Sequence, residues 1–84
     1  MEKKEIGKVI HYFGKIQVAA IKLTDALKKG EQIAFSGAHT DFEQTVDSIQ
    51  LERVEIPEAA AGQEIAIKVK DRVREHDTVF KVIV

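Results

Sequence analysis

Cysteine is absent from the 84 residues, which excludes a disulfide framework, a thiolate nucleophile and a cysteine zinc site. No apolar run approaches the roughly 20 residues needed to cross a bilayer, so no membrane association is expected. The opening stretch Met1-Glu2-Lys3-Lys4-Glu5 is charged and no apolar region follows it, so no signal peptide is expected either. A strong charge of one sign is also missing. The formal net charge is −1, which gives no global push toward nucleic acid or an acidic membrane. This composition suits a reducing cytoplasm, and a cytoplasmic location is the expectation.

What is present is enough for one small domain. At 44% hydrophobic residues, the chain can build a core without metal or disulfide staples. A chain this short buries roughly 60–65% of its unfolded surface. Its charge is unevenly spread: residues 1–30 carry seven Lys against three acids, 31–64 one Arg against eight acids, and 65–84 five cations against three acids. Such a pattern fits oppositely charged neighbouring strands.

Short apolar runs separated by turn signals, with no 3.6-residue stripe longer than about ten residues, predict an all-β domain. Residues 1–5 read as a charged tail and 6–84 as the domain. Strand one is Ile6 to Phe13, with Ile6, Lys8, Ile10 and Tyr12 alternating against Gly7, Val9, His11 and Phe13. Strand two is Ile16 to Leu23, with a parity switch at Ala19-Ala20 that reads as a bulge. Thr24 to Gly30 has an N-cap candidate and a closing glycine, enough for one helical turn at most. Strand three, Gln32 to Ser36, turns Ile33 and Phe35 inward. Strand four starts near Thr45 and switches parity twice before Pro57, which reads as one long coiled strand. Glu58 to Gly62 is a connection too short for a stable helix. Strand five, from Glu64 to Val69 or beyond, has Ile65, Ile67 and Val69 on one face. Strand six, Thr78 to Val84, puts Phe80, Val82 and Val84 on one face. Six short bent strands predict a small closed or nearly closed barrel, which leaves no exposed sheet edge.

Three stretches then carry a resemblance: "LKKGEQIAFSG" at 27–37, "TVDSIQLE" at 45–52 and "AAAGQEIAIKV" at 59–69.

 They look like the second-domain β-barrel of translation elongation factor Tu and its relatives: a glycine before an acid and an entering strand, a Val-x-Ser-Ile strand, and Ala-Gly ahead of the next strand. The resemblance covers about residues 6–84. "GKVIHYFGKIQVAAIKL" at 7–23, "TDFEQTVDSIQLE" at 40–52 and "VREHDTVFKV" at 73–82 are similar, more closely, to stand-alone translation elongation factor-like proteins and to the C-terminal barrel of collagenase-like peptidases. The resemblance implies a barrel, a translation-linked role through RNA or a ribosomal partner, or a scaffold role toward a protein partner. The family pattern favours glycine at His76 and Ala66. No G-x-x-x-x-G-K-[ST] loop occurs, so GTP binding does not carry over, and neither do the peptidase catalytic segments. No cofactor is implied.

Two stretches hold the candidate site residues. In 39–43, His39, Asp41 and Glu43 could form a metal or acid–base group, but three residues at i, i+2 and i+4 of a short loop do not guarantee convergence. The stronger reading is a bend, with Thr40 or Asp41 bonded to local backbone and Phe42 capping an open barrel end. In 68–74, Lys68, Lys70, Arg72 and Arg74 share one face and Val69 and Val73 the other. These four cations, with Phe42, are the candidate RNA or partner contacts. The competing expectation pairs the cations with Glu52, Glu55 or Glu64 on neighbouring strands. His11, Tyr12 and Phe13 offer a stacking platform or, more simply, core plus one edge histidine. The sequence therefore leads to a non-catalytic binding module, with no enzyme activity expected.

Overall fold

The computed structural model describes residues 2–83. Among them the fold is all-β, with ten strand segments and no helix, so no helix is long and apolar enough to cross a membrane. The first strand, β1 (Glu2–Phe13), is the longest and is bent twice. Against the last strand, β10 (Thr78–Ile83), Glu5 faces Phe80 and Gly7 faces Val79, leaving Ile6 as an extra residue. Against β2 (Val18–Leu23), Val9 faces Ile21 and His11 faces Ala20, leaving Ile10 extra. Each extra residue inverts the inward parity. Hence Ile6 and Val9 are both buried and Tyr12 packs on the core, a set that strict alternation forbids. The switch expected at Ala19-Ala20 lies instead in β1, opposite Ala20. In β2 itself Ala19, Ile21 and Leu23 are buried without interruption.

Residues 2–5, read as a tail, belong to β1 and pair with β10 in register from Glu2↔Ile83 to Glu5↔Phe80. Their side chains are exposed, so no hydrophobic alternation betrays the strand. Lys3 and Lys4 instead reach Glu43 (3.6 Å) and Asp25 (2.6 Å). The Lys4 ammonium, with the Ala26 amide, holds the Asp25 carboxyl below the usual carboxylate range. This contribution to stability is present above that range and is lost as pH falls through the lowered folded value.

The remaining strands are β3 (Leu27–Lys28), β4 (Gln32–Ser36), β5 (Asp41–Thr45), β6 (Ile49–Leu51), β7 (Val54–Ile56), β8 (Glu58–Ala59) and β9 (Glu64–Lys68). Eight segments form one sheet in the order β5-β4-β10-β1-β2-β9-β6-β7, and β3 pairs with β8. The expected six strands are thus too few, and strand-to-strand hydrogen bonds do not close the sheet among the described residues. The helical turn expected at 24–30 is replaced by the β3–β8 pair. Asp25 Oδ1 accepts from the Ala26 amide at 2.7 Å, Glu31 Oε1 accepts from the Lys28 amide at 2.7 Å, and Leu27 is fully buried.

The single coiled strand expected from Thr45 to Pro57 is three pieces. The chain breaks after β5 and then reverses between β6 and β7, where Leu51 faces Val54 across Glu52-Arg53. Both turn residues have positive φ, 51° and 67°, the geometry that a two-residue hairpin loop needs and that Asn-Gly supplies most readily. Replacing Glu52→Asn together with Arg53→Gly is expected to raise stability by about 1 kcal/mol. Urea unfolding would read this as a higher midpoint at unchanged slope, and a lower midpoint would contradict the turn geometry.

Strands β4 and β9 match their expected faces: Ile33 and Phe35 are fully buried, as are Ile65, Ile67 and Val69 to within 2%. In β10 the residue that joins the main core is Val79, on the opposite parity from Phe80 and Val82. Val84 lies outside the described residues.

Candidate functional site

The 68–77 segment leaves the sheet at Lys68, where β9 ends, and is held down at several points. Val69 and Val73 are buried. The Val69 amide donates to Gln17 O at 2.9 Å. Gln44 of β5 grips the same stretch with its side-chain amide: Nε2 donates to Lys68 O (2.8 Å) and Oε1 accepts from the Lys70 amide (2.9 Å). This amide occupies the place a neighbouring strand's peptide would take. An open groove of about 660 Å³ runs along the seam, lined by Glu43, Gln44, Asp47, Lys68 and Lys70 among others.

Further along, Asp71 Oδ1 accepts from the Arg72 amide at 2.7 Å and bends the chain. Buried Asp77 closes the turn, with Oδ2 accepting from the Arg74 amide at 2.8 Å. A Cβ on Gly37 would collide with the Asp77 carboxylate, so glycine is needed where the two segments meet. His76 adopts φ 75°, the conformation for which the resemblance favours glycine, and its amide donates to Val9 O at 2.8 Å. The turn keeps its shape because histidine is among the side chains least penalised there.

Lys68, Lys70, Arg72 and Arg74 are all exposed, on the side opposite Val69 and Val73. The expected pairing with Glu52, Glu55 and Glu64 does not occur. Glu55 reaches Lys29 (3.6 Å) and Glu64 reaches Lys22 (3.8 Å), while Glu52 sits in the β6–β7 turn. Among the described residues no carboxylate lies within 4.0 Å of any of the four cations. The reason is topological: β6 meets β9 only at Gln50↔Ala66, so residues 70–74 have no cross-strand neighbour to supply a carboxylate.

The tip of the β1–β2 hairpin stands beside this segment. His11, Tyr12, Arg72, Val73, Arg74 and Glu75 line a shallow hollow of about 280 Å³. His11 Nδ1 lies 3.3 Å from Glu75 Oε1, and the His11 and Phe13 rings meet edge to face at 4.5 Å. Tyr12 packs on the core, whereas Phe13 is 46% exposed. Ile10 and Ile16 are exposed as well. Of these two expected strand residues, Ile10 does lie in β1, as the extra residue of its bulge, whereas Ile16 lies in the turn before β2.

The 39–43 stretch is mostly strand β5. Phe42 is half-buried and stacks on Phe35 with centroids 5.0 Å apart. It packs against the core while staying partly exposed. The turn before β5 is made by backbone, with the Gly37 amide donating to Thr40 O at 2.8 Å. The buried Thr40 hydroxyl has no partner, contrary to its expected bond with local backbone. Glu43 accepts from Gln32 (2.8 Å) and pairs with Lys3. Among the described residues no three His, Asp or Glu side chains converge as metal ligands would.

No family model matches the chain. Over 79 residues, 93% of its length, it is 35% identical to an uncharacterized protease of Methanocaldococcus jannaschii, of which it spans 19%. Over 82 residues, 95% of its length, it is 33% identical to a collagenase of Porphyromonas gingivalis, of which it spans 23%. The chain thus spans about a fifth of the curated relatives it matches. Among solved structures, it is similar to the C-terminal domain of a Geobacillus thermoleovorans protein assigned as a U32 peptidase, with TM-score 0.89 at 22% identity. That match covers 95% of this chain and 93% of the other. A selenomethionine variant of that domain matches with TM-score 0.86. The comparisons support the collagenase side of the resemblance and lend no support to its elongation-factor side. At the level of fold, this chain has the architecture of that C-terminal domain.

Proposed function

We propose that this chain is a non-catalytic, protein-interacting barrel of the kind appended to collagenase-like peptidases, packing against a partner protein chain. The observation that carries this reading is the alignment: nearly the whole chain corresponds to about a fifth of much longer protease and collagenase relatives. A domain of the same fold forms the C-terminal part of a U32 peptidase-type protein. The curled sheet with the Gln44 amide bridging its seam is a nearly closed barrel in this reading.

Incubating the purified chain with gelatin, with and without added Zn²⁺ or Mn²⁺, tests the non-catalytic half. No cleavage above the buffer control is expected. Cleavage that copurifies with the chain, and is absent from a mock preparation, would overturn it.

A further inference from the structure

We propose that the face made by the β1–β2 hairpin tip and residues 68–75 binds single-stranded nucleic acid. Lys68, Lys70, Arg72 and Arg74 contact phosphates, and the exposed rings of His11 and Phe13 stack on bases. This goes beyond the accessory-domain reading and stands or falls independently of it.

Charge is the first argument. Residues 8–18 and 68–76 carry six Lys and Arg against two carboxylates in a chain of net charge −1. Lys3, Lys4, Lys22, Lys29 and Lys81 each have a carboxylate partner; among the described residues the four cations of 68–74 have none, and neither do Lys8 and Lys15 of the β1–β2 hairpin or the more distant Lys28 and Arg53. Four like charges within seven residues repel one another, and an external polyanion relieves that repulsion while releasing its own counterions.

The rings are the second argument. A duplex hides its base faces, whereas a single strand presents them to aromatic side chains. His11 and Phe13 already touch edge to face, and His11 shares the hollow with Arg72 and Arg74. Phosphate contacts and a stacking surface therefore adjoin. This combination favours a nucleic acid single strand over an acidic protein, which would use the cations without needing the rings.

Fluorescence anisotropy with fluorescein-labelled rU12 and dT12 tests the proposal, with a labelled duplex, heparin and phosphatidylglycerol vesicles as comparison arms. The expected result is binding to single strands at low salt, with a log–log salt slope of about −3 for four contacts. Lys70→Gln with Arg72→Gln should lessen that slope by about 1.4. Phe13→Ser should weaken binding by roughly 5- to 150-fold with little change in slope. All three positions are exposed, and thermal melting of each variant checks that the fold is retained. Either order of rU12 and dT12 affinity supports the proposal, and their ratio identifies RNA or DNA as the source. Absence of single-strand binding would overturn it. So would duplex or heparin binding of equal strength that ignores Phe13→Ser, or vesicle binding without oligonucleotide binding.

Discussion

Ile67→Ala is expected to cost about 2–5 kcal/mol. Ile67 lies in β9, faces Ala19 across the ladder to β2, and is 1% exposed. Ile65 and Val69 flank it on the same buried face, so truncation leaves a cavity lined by branched side chains that cannot all shift inward. The loss combines the transfer energy of the missing carbons with the cavity they leave. A domain of this size has about 5–15 kcal/mol of stability in total, so the substitution removes a large part of it. Urea unfolding should show a lower midpoint with the slope unchanged. A loss below about 1 kcal/mol would mean that Ile67 is not a core residue.

Gly7→Ala should destabilise by about 1–3 kcal/mol through overpacking. Gly7 follows the extra residue Ile6 and is paired on both sides, with Val79 and Leu23. A Cβ there would come within 2.5 Å of Lys22 O and 3.1 Å of Ile21 Cγ2. The first neighbour is backbone inside a ladder, so relief requires the strands to part. Gly14 provides the control, because its Cβ would meet only Tyr12 Cε2 at 3.5 Å, an ordinary contact. Thermal melting of the two variants should therefore separate them, and equal midpoints would contradict the close approach at Gly7.

The strands legible in the sequence are those without extra residues. Ile33 and Phe35 in β4, and Ile65 and Ile67 in β9, keep the inward parity expected of them because their pairings run without register shifts, although Ala34 between the first two is buried as well. In β1 the alternation fails, since a bulge belongs to a pair of strands and a single sequence shows only the resulting mismatch. The mismatch expected at Ala19-Ala20 of β2 arises from Ile10, the extra residue of β1.

Turns were hidden for a different reason. Gln17, Glu52 and Arg53 all have positive φ without being Gly or Asn, so the β6–β7 reversal carried no turn signal. His76 could be read only because the resemblance favours glycine there.

At the candidate site, the exposure of the four cations was legible from their spacing with Val69 and Val73. Their lack of partners was not, because it depends on β9 ending at Lys68 and on which strands lie alongside. Gln44 was missed altogether. Nothing in a sequence distinguishes a glutamine on a sheet edge from one whose amide substitutes for backbone.

The most direct measurement of the accessory-domain reading is hydrogen–deuterium exchange on a graft. The chain would replace the 79-residue stretch it matches in the Methanocaldococcus jannaschii relative, beside a form of that relative lacking the stretch. If the domain packs against a larger protein, amides elsewhere in the relative should be more protected in the graft than in the deleted form. Identical exchange in the two, with the grafted domain itself folded, would contradict the reading.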